Sequence, residues 1–450
     1  MIDITVIMPS LNVAPYIEEC ISSVENQTLK NIEILCIDAG STDGTLKILQ
    51  SHAKKDSRIN IINSSVKSYG YQVNLGIRKA QGEYISIVET DDYIADNMLE
   101  VLYSYALKFS PDYVKSSNNH FKHIGNRRVF SKHQVLPENS NISFESLINP
   151  REHAELHRYG SYIWDGIYKK KFLNDYGIAL NESSGAAFQD MGVAHWVLAT
   201  ASKAVYINEP LYQYRNDREE SSTWNRNCLR YPMQEFKRLF EQEVIPEEYF
   251  ADHRTDIDIN MIFEFKNEAS KLMQMPGFDL ESDDFIMPYE WFKLRIEKEI
   301  SDGIVDYDMF DIETAAELDL LLNKPGSFAD LVRARSAIEK NNRKRLFDVL
   351  NGKNLIVFGS GIRGSSFVVK LQGAKEINID AFVDNDEAKW NTVVNGIEII
   401  SPEMALKRYS DDLYIIANKL HAGDIKSQLL RMGIAEEQIM IYEMNNLEKD

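Results

Sequence analysis

Cysteine, long apolar runs and positive charge are all scarce in this chain of 450 residues. Its three cysteines, Cys20, Cys36 and Cys228, are widely and irregularly spaced, which excludes a disulfide framework or a zinc site and fits a reducing compartment. No apolar run approaches the roughly 20 residues of a membrane-spanning helix, and the sequence after Met1 has no pattern of a secretion signal. We therefore expect a soluble, cytoplasmic protein.

Positive charge falls well short of negative charge. Lys and Arg total 50 against 69 Asp and Glu, so the formal net charge is -19. A surface of this sign repels nucleic acid and an anionic bilayer, so we expect no nucleic-acid partner and at most a peripheral membrane contact. The proportions of hydrophobic (44%) and charged (26%) residues are ordinary for globular proteins, and the length allows more than one core.

The first hundred residues alternate short apolar runs, rich in β-branched residues, with amphipathic segments. We interpret the runs at 4–8, 32–37, 59–62 and 84–88 as strands. Between the first two runs, four apolar residues recur on one helical face: Ile17, Cys20, Ile21 and Val24. This pattern predicts an α/β fold with a mainly parallel sheet, which binds ligands beyond the carboxyl ends of its strands.

Acidic residues follow the fourth predicted strand at this ligand-binding edge. Glu89, Asp91 and Asp92 place three carboxylates within one short loop. Carboxylate oxygens are the ligands that Mg²⁺ and Mn²⁺ prefer, and repulsion among charges this close favours a bound cation. The same residues could instead form the acidic start of a helix that begins near Tyr93.

Two further polar sites have both a functional and a structural interpretation. The loop at 38–45 after the second strand combines turn glycines, hydroxyls and Asp38; it suits a nucleoside, but an Asp-Gly turn with ordinary capping has the same pattern. Asp190 could act in a site or cap a helix over 191–201, and His195 is either a site residue or a packed histidine.

The chain divides into three predicted regions. Residues 1–225 form one α/β domain, residues 226–350 contain long helical patterns and are interpreted as a helical connector, and residues 351–450 resume an α/β pattern. Strands are predicted at 355–358, 379–383 and 413–416 in this last region. It is interpreted as a Rossmann-like domain.

A glycine motif opens the last region. Gly359, Gly361 and Gly364 follow its first strand, and Asp384 lies 20 residues beyond Gly364. Amides at the start of the following helix would favour a phosphate, and Asp384 could accept a hydrogen bond from a ribose hydroxyl, which together make a second nucleotide site. The other interpretation is a glycine turn beside an empty crevice, with a role in assembly.

Taken together, the first 225 residues resemble the family 2 glycosyltransferases with the GT-A fold, and the last region resembles the Rossmann-like modules attached to bacterial surface-polysaccharide enzymes. The blocks that carry the first resemblance are VIMPSLN (6–12), SSVENQT (22–28), IDAGSTDGT (37–45), NLGI (74–77), GEYI (82–85), ETDD (89–92), WDGIYK (164–169), QD (189–190), YQYR (212–215) and SST (221–223).

The resemblance implies both an activity and a set of site residues. It implies inverting transfer of a sugar, with Mn²⁺ or Mg²⁺, from a nucleoside-diphosphate donor, expected to be UDP-linked, to a hydroxyl of a glycan or lipid-linked glycan. The expected setting is bacterial surface polysaccharide synthesis, in the cytoplasm or at the inner face of the membrane. The implied residues are Pro9, Asn12, Asp38 and Asp91 for the nucleotide sugar, Asp91 and Asp92 for the metal, and Asp190 as general base.

Three departures from the family pattern keep alternatives open. Ala39 stands where the family often has an acidic residue, Glu89 where Asp is common, and Gln189 where Glu is frequent. The substitutions at Ala39 and Glu89 leave a non-catalytic glycan-binding or scaffold protein as an alternative. An NAD-dependent oxidoreductase acting through the last region is another, because it would explain the glycines there but not the motifs of the first 225 residues. Homo-oligomerisation is also left open.

Overall fold

The computed structural model describes residues 2–124, 127–137, 140–159, 162–217, 225–241, 245–371, 377–443 and 446–448. The motif at 221–223 lies outside these residues. The chain forms two compact units: the first comprises Met1–Asn119 and Lys132–Val332, and the second comprises His120–Ser131 and Arg333–Asp450. The boundaries at 225 and 350 that the sequence indicates stay predictions.

The first unit alternates strands and helices and then becomes helical. Its strands, two of which extend into the second unit, are β1 (Ile2–Ser10), β2 (Ile32–Asp38), β3 (Ile59–Asn63), β4 (Gly82–Ile87), β5 (Tyr93–Ile94), β6 (Tyr113–Ile124), β7 (Arg127–His133), β8 (Gly166–Lys169) and β9 (Ala204–Arg215). The helices of its sheet region are α1 (Ile17–Glu25), α2 (Thr45–Ala53), α3 (Tyr69–Lys79), α4 (Met98–Phe109), α5 (Lys170–Asp175) and α6 (Gln189–Thr200). Those after β9 are α7 (Arg230–Glu241), α8 (Glu247–Phe250), α9 (Arg254–Met273), α10 (Asp283–Ser301), α11 (Ile312–Asn323) and α12 (Pro325–Leu350).

The large sheet has the strand order β3-β2-β1-β4-β8-β6-β9-β5, with β7 paired to β6. β1 lies parallel to β2 and β4, and β2 parallel to β3, whereas β8 is antiparallel to both of its neighbours. Ile7 faces one hydrophobic core while Val6 and Met8 face the other, because successive side chains of a strand point to opposite faces. The α/β class is confirmed, and the parallel half of the sheet brings the ends of β1, β2 and β4 to one edge.

The acidic loop after β4 does not begin a helix near Tyr93, so that interpretation is wrong. Tyr93 and Ile94 form β5, which pairs antiparallel with β9 at Gln213 and Tyr212, and α4 starts only at Met98. A partner more than a hundred residues away in the sequence thus overrides the local helical signal.

Helices α7 to α11 and the first residues of α12, up to Val332, belong to the first unit and share a core with its sheet, whereas α12 from Arg333 onward belongs to the second unit. Phe265 of α9 stacks on Phe292 of α10, with ring centroids 4.2 Å apart and ring planes 2° from parallel. Ile257, Met261 and Leu272 of α9 are fully or almost fully buried in the same core. In the part of the chain that the structure describes, no helix combines the length and apolarity needed to cross a bilayer.

The second unit contains a sheet of seven strands in the order β12-β13-β11-β10-β14-β15-β16. Five of them, β13-β11-β10-β14-β15, are parallel to one another. The earliest of these in the sequence, β10, lies in the centre, which is the order of a doubly wound sheet. Val129, from the 120–131 segment, packs in the core of this unit. The elements are β10 (Asn354–Phe358), α13 (Ile362–Lys370), β11 (Asn378–Val383), β12 (Val393–Val394), β13 (Ile397–Ile400), α14 (Pro402–Tyr409), β14 (Leu413–Ile416), α15 (Ala422–Arg431), β15 (Ile439–Glu443) and β16 (Asn446–Glu448).

Candidate active site

A cleft of about 540 Å³ lies in the first unit, where the loops beyond β1 and β4 meet the start of α6 and one side of α9. Three of the residues that the sequence assigns to a site, Pro9, Asp91 and Asp190, line this cleft. Asn12, Asp38 and Asp92 are not among the residues that line it. The sequence thus locates the cleft, while the role of each residue stays a prediction.

The acidic loop brings three carboxylates together at the wall of this cleft. Glu89, Asp91 and Asp92 each offer an oxygen, and these oxygens all lie within 4.8 Å of one another. Asp92 is 1% exposed, and burial, followed by the charges of Asp91 and Glu89, raises its pKa well above the usual range. A cation would relieve this repulsion, and an all-oxygen donor set fits Mg²⁺ or Mn²⁺.

Strand β9 holds the acidic loop in place. The Tyr212 hydroxyl donates to Asp92 Oδ2 (2.9 Å), and the backbone N–H of Arg215 donates to Asp92 Oδ1 (2.7 Å). The Tyr212 oxygen also accepts from the backbone N–H of Glu89 (3.0 Å), and Arg215 Nε donates to the carbonyl oxygen of Asp91 (2.7 Å). Each oxygen of Asp92 therefore already accepts a bond from β9, whereas Asp91 lines the cleft itself.

We expect Tyr212→Phe to weaken metal binding without unfolding the protein. The change removes one hydrogen bond to Asp92 and one to the Glu89 amide, and loss of such support to metal ligands typically reduces metal affinity or activity by about 10-fold to 100-fold. A Mn²⁺ titration followed by electron paramagnetic resonance measures the change in metal affinity, and equal affinities are expected for the wild type and the control. Tyr84→Phe is the matched control, because the buried Tyr84 hydroxyl donates to the Pro111 carbonyl (3.0 Å), away from the acidic loop. Equal Mn²⁺ affinities in both variants would contradict the expected role of Tyr212.

Asn12 ties the loop after β1 to the loop after β2. Its backbone has a left-handed φ of 53°, its Oδ1 accepts from the Thr42 N–H (2.9 Å), and its own N–H donates to Ser41 Oγ (3.0 Å). Asp43 reinforces the tie by accepting from the Ala14 N–H (2.8 Å). Asn12 therefore shapes the rim of the cleft by joining two loops.

Asp38 combines the two roles that the sequence left open. Its Oδ2 accepts from the N–H groups of Gly40 and Ser41, both at 2.8 Å, which is ordinary capping of the turn. Its Oδ1 is buried and has no hydrogen-bond partner among the described residues. Because buried polar atoms are nearly always paired, this oxygen is a candidate contact for a bound nucleoside.

Asp190 likewise starts a helix and faces the cleft. It is the second residue of α6, in the helix's first turn, and it lines the cleft. Burial raises its pKa to about 6, and backbone hydrogen bonds partly oppose the shift. A carboxyl group that titrates near 6 is mostly ionised at neutral pH and is still basic enough to accept a proton.

Several residues of the cleft were given no role from the sequence, although Gln189 was noted there as a departure from the family pattern. Gln72 of α3 lines it and donates to the Ser10 and Ile37 carbonyls (3.0 and 2.6 Å), which joins the ends of β1 and β2. Gln189 accepts from the Gly70 N–H (3.2 Å) and so fixes the start of α6. Helix α9 contributes four polar side chains at helical spacing, a signal visible in the sequence but without an indicated location: Asn260, Glu264, Glu268 and Lys271. His195, in contrast, is 1% exposed and packed.

Comparison with known proteins identifies the family. The model of glycosyl transferase family 2 matches residues 5–172. The chain is 31% identical over 216 residues to the glycosyltransferase GlyG of Streptococcus pneumoniae serotype 4, a match that covers 47% of this chain and 70% of GlyG. The chain belongs to glycosyltransferase family 2.

Other comparisons place this family 2 glycosyltransferase among its relatives. It is 29% identical to the uncharacterized glycosyltransferase EpsJ of Bacillus subtilis over 214 residues, 48% of this chain but only 61% of EpsJ. Its fold is similar to that of S. aureus TarS 1–349 in complex with UDP-GlcNAc, with a TM-score of 0.52, 17% identity, and coverage of 74% of this chain and 89% of that one. A separate family, C2185-like, N-terminal, matches residues 351–440.

The glycine motif of the second unit forms a tight turn between β10 and α13. Gly359 has a left-handed φ of 107°, and a Cβ on Gly364 would lie 1.9 Å from the Gly359 carbonyl oxygen. A Cβ on Gly361 would meet open space. Asp384 is already engaged, because its Oδ2 accepts from Ser360 Oγ (2.6 Å) and Lys389 Nζ (3.1 Å). A second nucleotide site at these residues stays a prediction.

Proposed function

We propose that the chain is an inverting, metal-dependent glycosyltransferase that moves a sugar from a UDP-linked donor to a hydroxyl of a glycan or lipid-linked acceptor. The observation that carries this proposal is that one cleft is lined both by Glu89 and Asp91, whose carboxylates cluster with that of Asp92, and by the single carboxylate of Asp190. The family resemblance supports a setting in bacterial surface polysaccharide synthesis.

Asp190 is proposed as the general base. A sugar hydroxyl is a poor nucleophile, so its proton moves to the Asp190 carboxylate as its oxygen bonds to the anomeric carbon of the donor. The bond from that carbon to the diphosphate oxygen breaks on the opposite face, which inverts the configuration. The diphosphate leaves with the bonding electrons, and Asp190 holds the proton until it passes to water.

The acidic loop is proposed as the metal site. Asp91 and Asp92, supported by Glu89, would hold Mn²⁺ or Mg²⁺, which when bound supplies neutralisation of the charge on the departing diphosphate. Pro9, Asn12 and Asp38 lie in or beside the two loops that would enclose the nucleoside. The likeness of the fold to TarS, solved with UDP-GlcNAc, supports testing UDP-linked donors first.

A donor panel tests the proposal directly. Thermal unfolding should shift upward by several degrees with at least one of UDP-glucose, UDP-galactose, UDP-GlcNAc and UDP-GalNAc in the presence of Mn²⁺, and much less with EDTA, because a ligand that binds only the folded state stabilises it. GDP-mannose and NADH serve as comparison ligands. Release of UDP and the anomeric configuration of the product, followed by NMR, complete the test.

The outcomes separate the alternatives. Stabilisation by NADH together with oxidation of the cofactor would favour the oxidoreductase. Donor binding without any release of UDP to water or acceptor would favour the non-catalytic protein. A product that retains the donor's configuration would contradict the single displacement.

A further inference from the structure

Helix α9, which lies outside the segment that matches the family model, lines the cleft with a row of polar side chains. Asn260, Glu264, Glu268 and Lys271 follow one another at intervals of four, four and three residues, which places them along one face of the helix. Another face of α9 packs in the core of the first unit through Ile257, Phe265 and Leu272. This row, here called the α9 row, is therefore a rigid wall of the cleft.

The α9 row contains polar atoms that the protein itself does not satisfy. Asn260 is 4% exposed, and its amide nitrogen has no partner among the described residues. Glu268 is 2% exposed; one of its oxygens pairs with Lys271 Nζ (2.5 Å), and the other, Oε2, is buried without a hydrogen bond in the described chain. Since buried polar atoms are nearly always paired in native proteins, Glu268 Oε2 indicates a ligand in the cleft, which Asn260 also lines.

Three buried histidines set the direction in which the Asn260 amide points. His195 Nε2 lies 3.1 Å from Asn260 Oδ1, His157 Nδ1 lies 2.8 Å from His195 Nδ1, and His253 Nδ1 lies 3.0 Å from His157 Nε2. A carbonyl oxygen only accepts, so His195 donates through Nε2, accepts at Nδ1 from His157, and His157 in turn accepts from His253. One consistent direction of donation thus runs from His253 to Asn260.

This histidine chain leaves a hydrogen-bond donor facing the cleft. Burial lowers the pKa of all three histidines, so they are neutral and each has one donor and one acceptor nitrogen. With its oxygen committed to His195, Asn260 presents its N–H groups to the ligand. The adjacent Glu264, which makes no hydrogen bond or ion pair with the described residues, presents an acceptor.

A donor beside carboxylates fits hydroxyl groups rather than phosphates. Glu264 and Glu268 would repel a diphosphate, whereas a sugar hydroxyl can donate to a carboxylate and accept from an amide. Tyr162 and Trp164 also line the cleft and stack on each other, with ring centroids 4.6 Å apart, so they add the aromatic surface that is common in small-molecule sites. The chemistry of this wall is that of a pyranoside site.

The α9 row and Asp190, the proposed general base, line the same cleft. Burial, followed by Glu268 and then Asp190, raises the pKa of Glu264 to about 7, and Asp190 also raises the pKa of Tyr162. A hydroxyl that gives its proton to Asp190 belongs to the acceptor. We propose that the α9 row binds the acceptor sugar, with Asn260 donating to one hydroxyl and Glu264 accepting from another. This inference rests on the proposed function.

Binding of simple glycosides tests the α9 row. The probes are the methyl glycosides of glucose, galactose, GlcNAc and GalNAc, titrated into protein saturated with UDP and Mn²⁺ and followed by saturation-transfer NMR. At least one should bind saturably to the wild type, and Asn260→Asp and Glu264→Gln should each weaken it about 10-fold, because a hydrogen bond to a buried polar group is lost. Affinity for UDP should change less than 2-fold.

Matched controls separate binding from structure. Asn267→Asp changes an exposed residue of α9, and Glu290→Gln an exposed residue of α10, so both should match the wild type. Asn260→Asp keeps an oxygen toward His195 but replaces the donor with an acceptor, so a merely structural Asn260 would leave glycoside binding unchanged.

Three results would overturn the inference. In the first, neither substitution alters the glycoside affinity. In the second, the two variants lose affinity for UDP and keep their affinity for glycosides. In the third, the wild type loaded with UDP and Mn²⁺ shows no saturable glycoside binding. In each of these cases UDP still binds the wild type. Failure of UDP and Mn²⁺ to bind the wild type at all would instead count against the proposed function.

Discussion

Asp190→Asn should slow sugar transfer by about 10³-fold while leaving donor affinity within 2-fold of the wild type. General-base catalysis contributes roughly 10²-fold to 10⁴-fold, and an amide of nearly the same shape cannot take up the proton of the acceptor hydroxyl. The affinity for the donor with Mn²⁺ is measured by calorimetry, and the rate of UDP release by a coupled assay.

The control for this substitution is Asp252→Asn, which makes the same change at an exposed position before α9. It should keep the wild-type rate. If Asp190→Asn retained more than a tenth of the activity, Asp190 would not be the base. If it lost donor affinity to the same extent as rate, its role would be in binding.

The pH dependence of kcat/KM gives a second readout of the same group. Because burial raises the pKa of Asp190 from 3.8 to about 6, the carboxylate is protonated below that pH and cannot act as a base. The value of kcat/KM should therefore fall about 10-fold per pH unit below 6 and level off above it, since this parameter reports the free enzyme. In Asp190→Asn, the fall of kcat/KM below pH 6 should be absent.

Asp91→Asn should lower Mn²⁺-dependent activity by about 10³-fold and abolish the stabilisation that UDP with Mn²⁺ confers. Asp91, like Glu89, both lines the cleft and lies in the carboxylate cluster with Asp92. Stabilisation of a leaving group by a metal contributes several kcal/mol to the transition state, which corresponds to a factor of this size. Thermal unfolding with UDP, with and without Mn²⁺, and electron paramagnetic resonance of bound Mn²⁺ measure the two effects.

Asp96→Asn tests whether loss of any nearby charge has the same effect. Asp96 is exposed, lies five residues further along the chain, and should leave both Mn²⁺ binding and rate unchanged. If Asp91→Asn bound Mn²⁺ and UDP as the wild type does, the proposed metal site would be wrong.

The parallel half of the sheet could be predicted because its signals are local. The runs at 4–8, 32–37, 59–62 and 84–88 are confirmed within β1 to β4 apart from the last residue of the fourth run, and the helix expected over 191–201 is confirmed as α6. The carboxylates of the acidic loop also meet as expected, because they are neighbours in the sequence. Local patterns are enough to predict which strand ends share an edge of the sheet and which residues share a loop.

The rest of the site depends on pairings that no local pattern reveals. The antiparallel pairing of β9 with the two-residue strand β5 brings Tyr212 and Arg215 to Asp92. Because of the same pairing, Tyr93 lies in a strand and not in the expected helix. The polar face of α9 can be read from its spacing, but not the cleft that it lines. The histidine chain joins residues 157, 195 and 253, which are far apart in the sequence.

The bonds from β9 to Asp92 also bear on the order in which this protein matures on the ribosome. Residues 1–94 include the whole acidic loop, but the hydroxyl and amide that satisfy Asp92 emerge more than a hundred residues later. A nascent chain that ends at residue 172, where the family match ends, would have to bury this carboxylate without either donor. The acidic loop can therefore reach the hydrogen-bonded arrangement described above only after translation has passed Arg215.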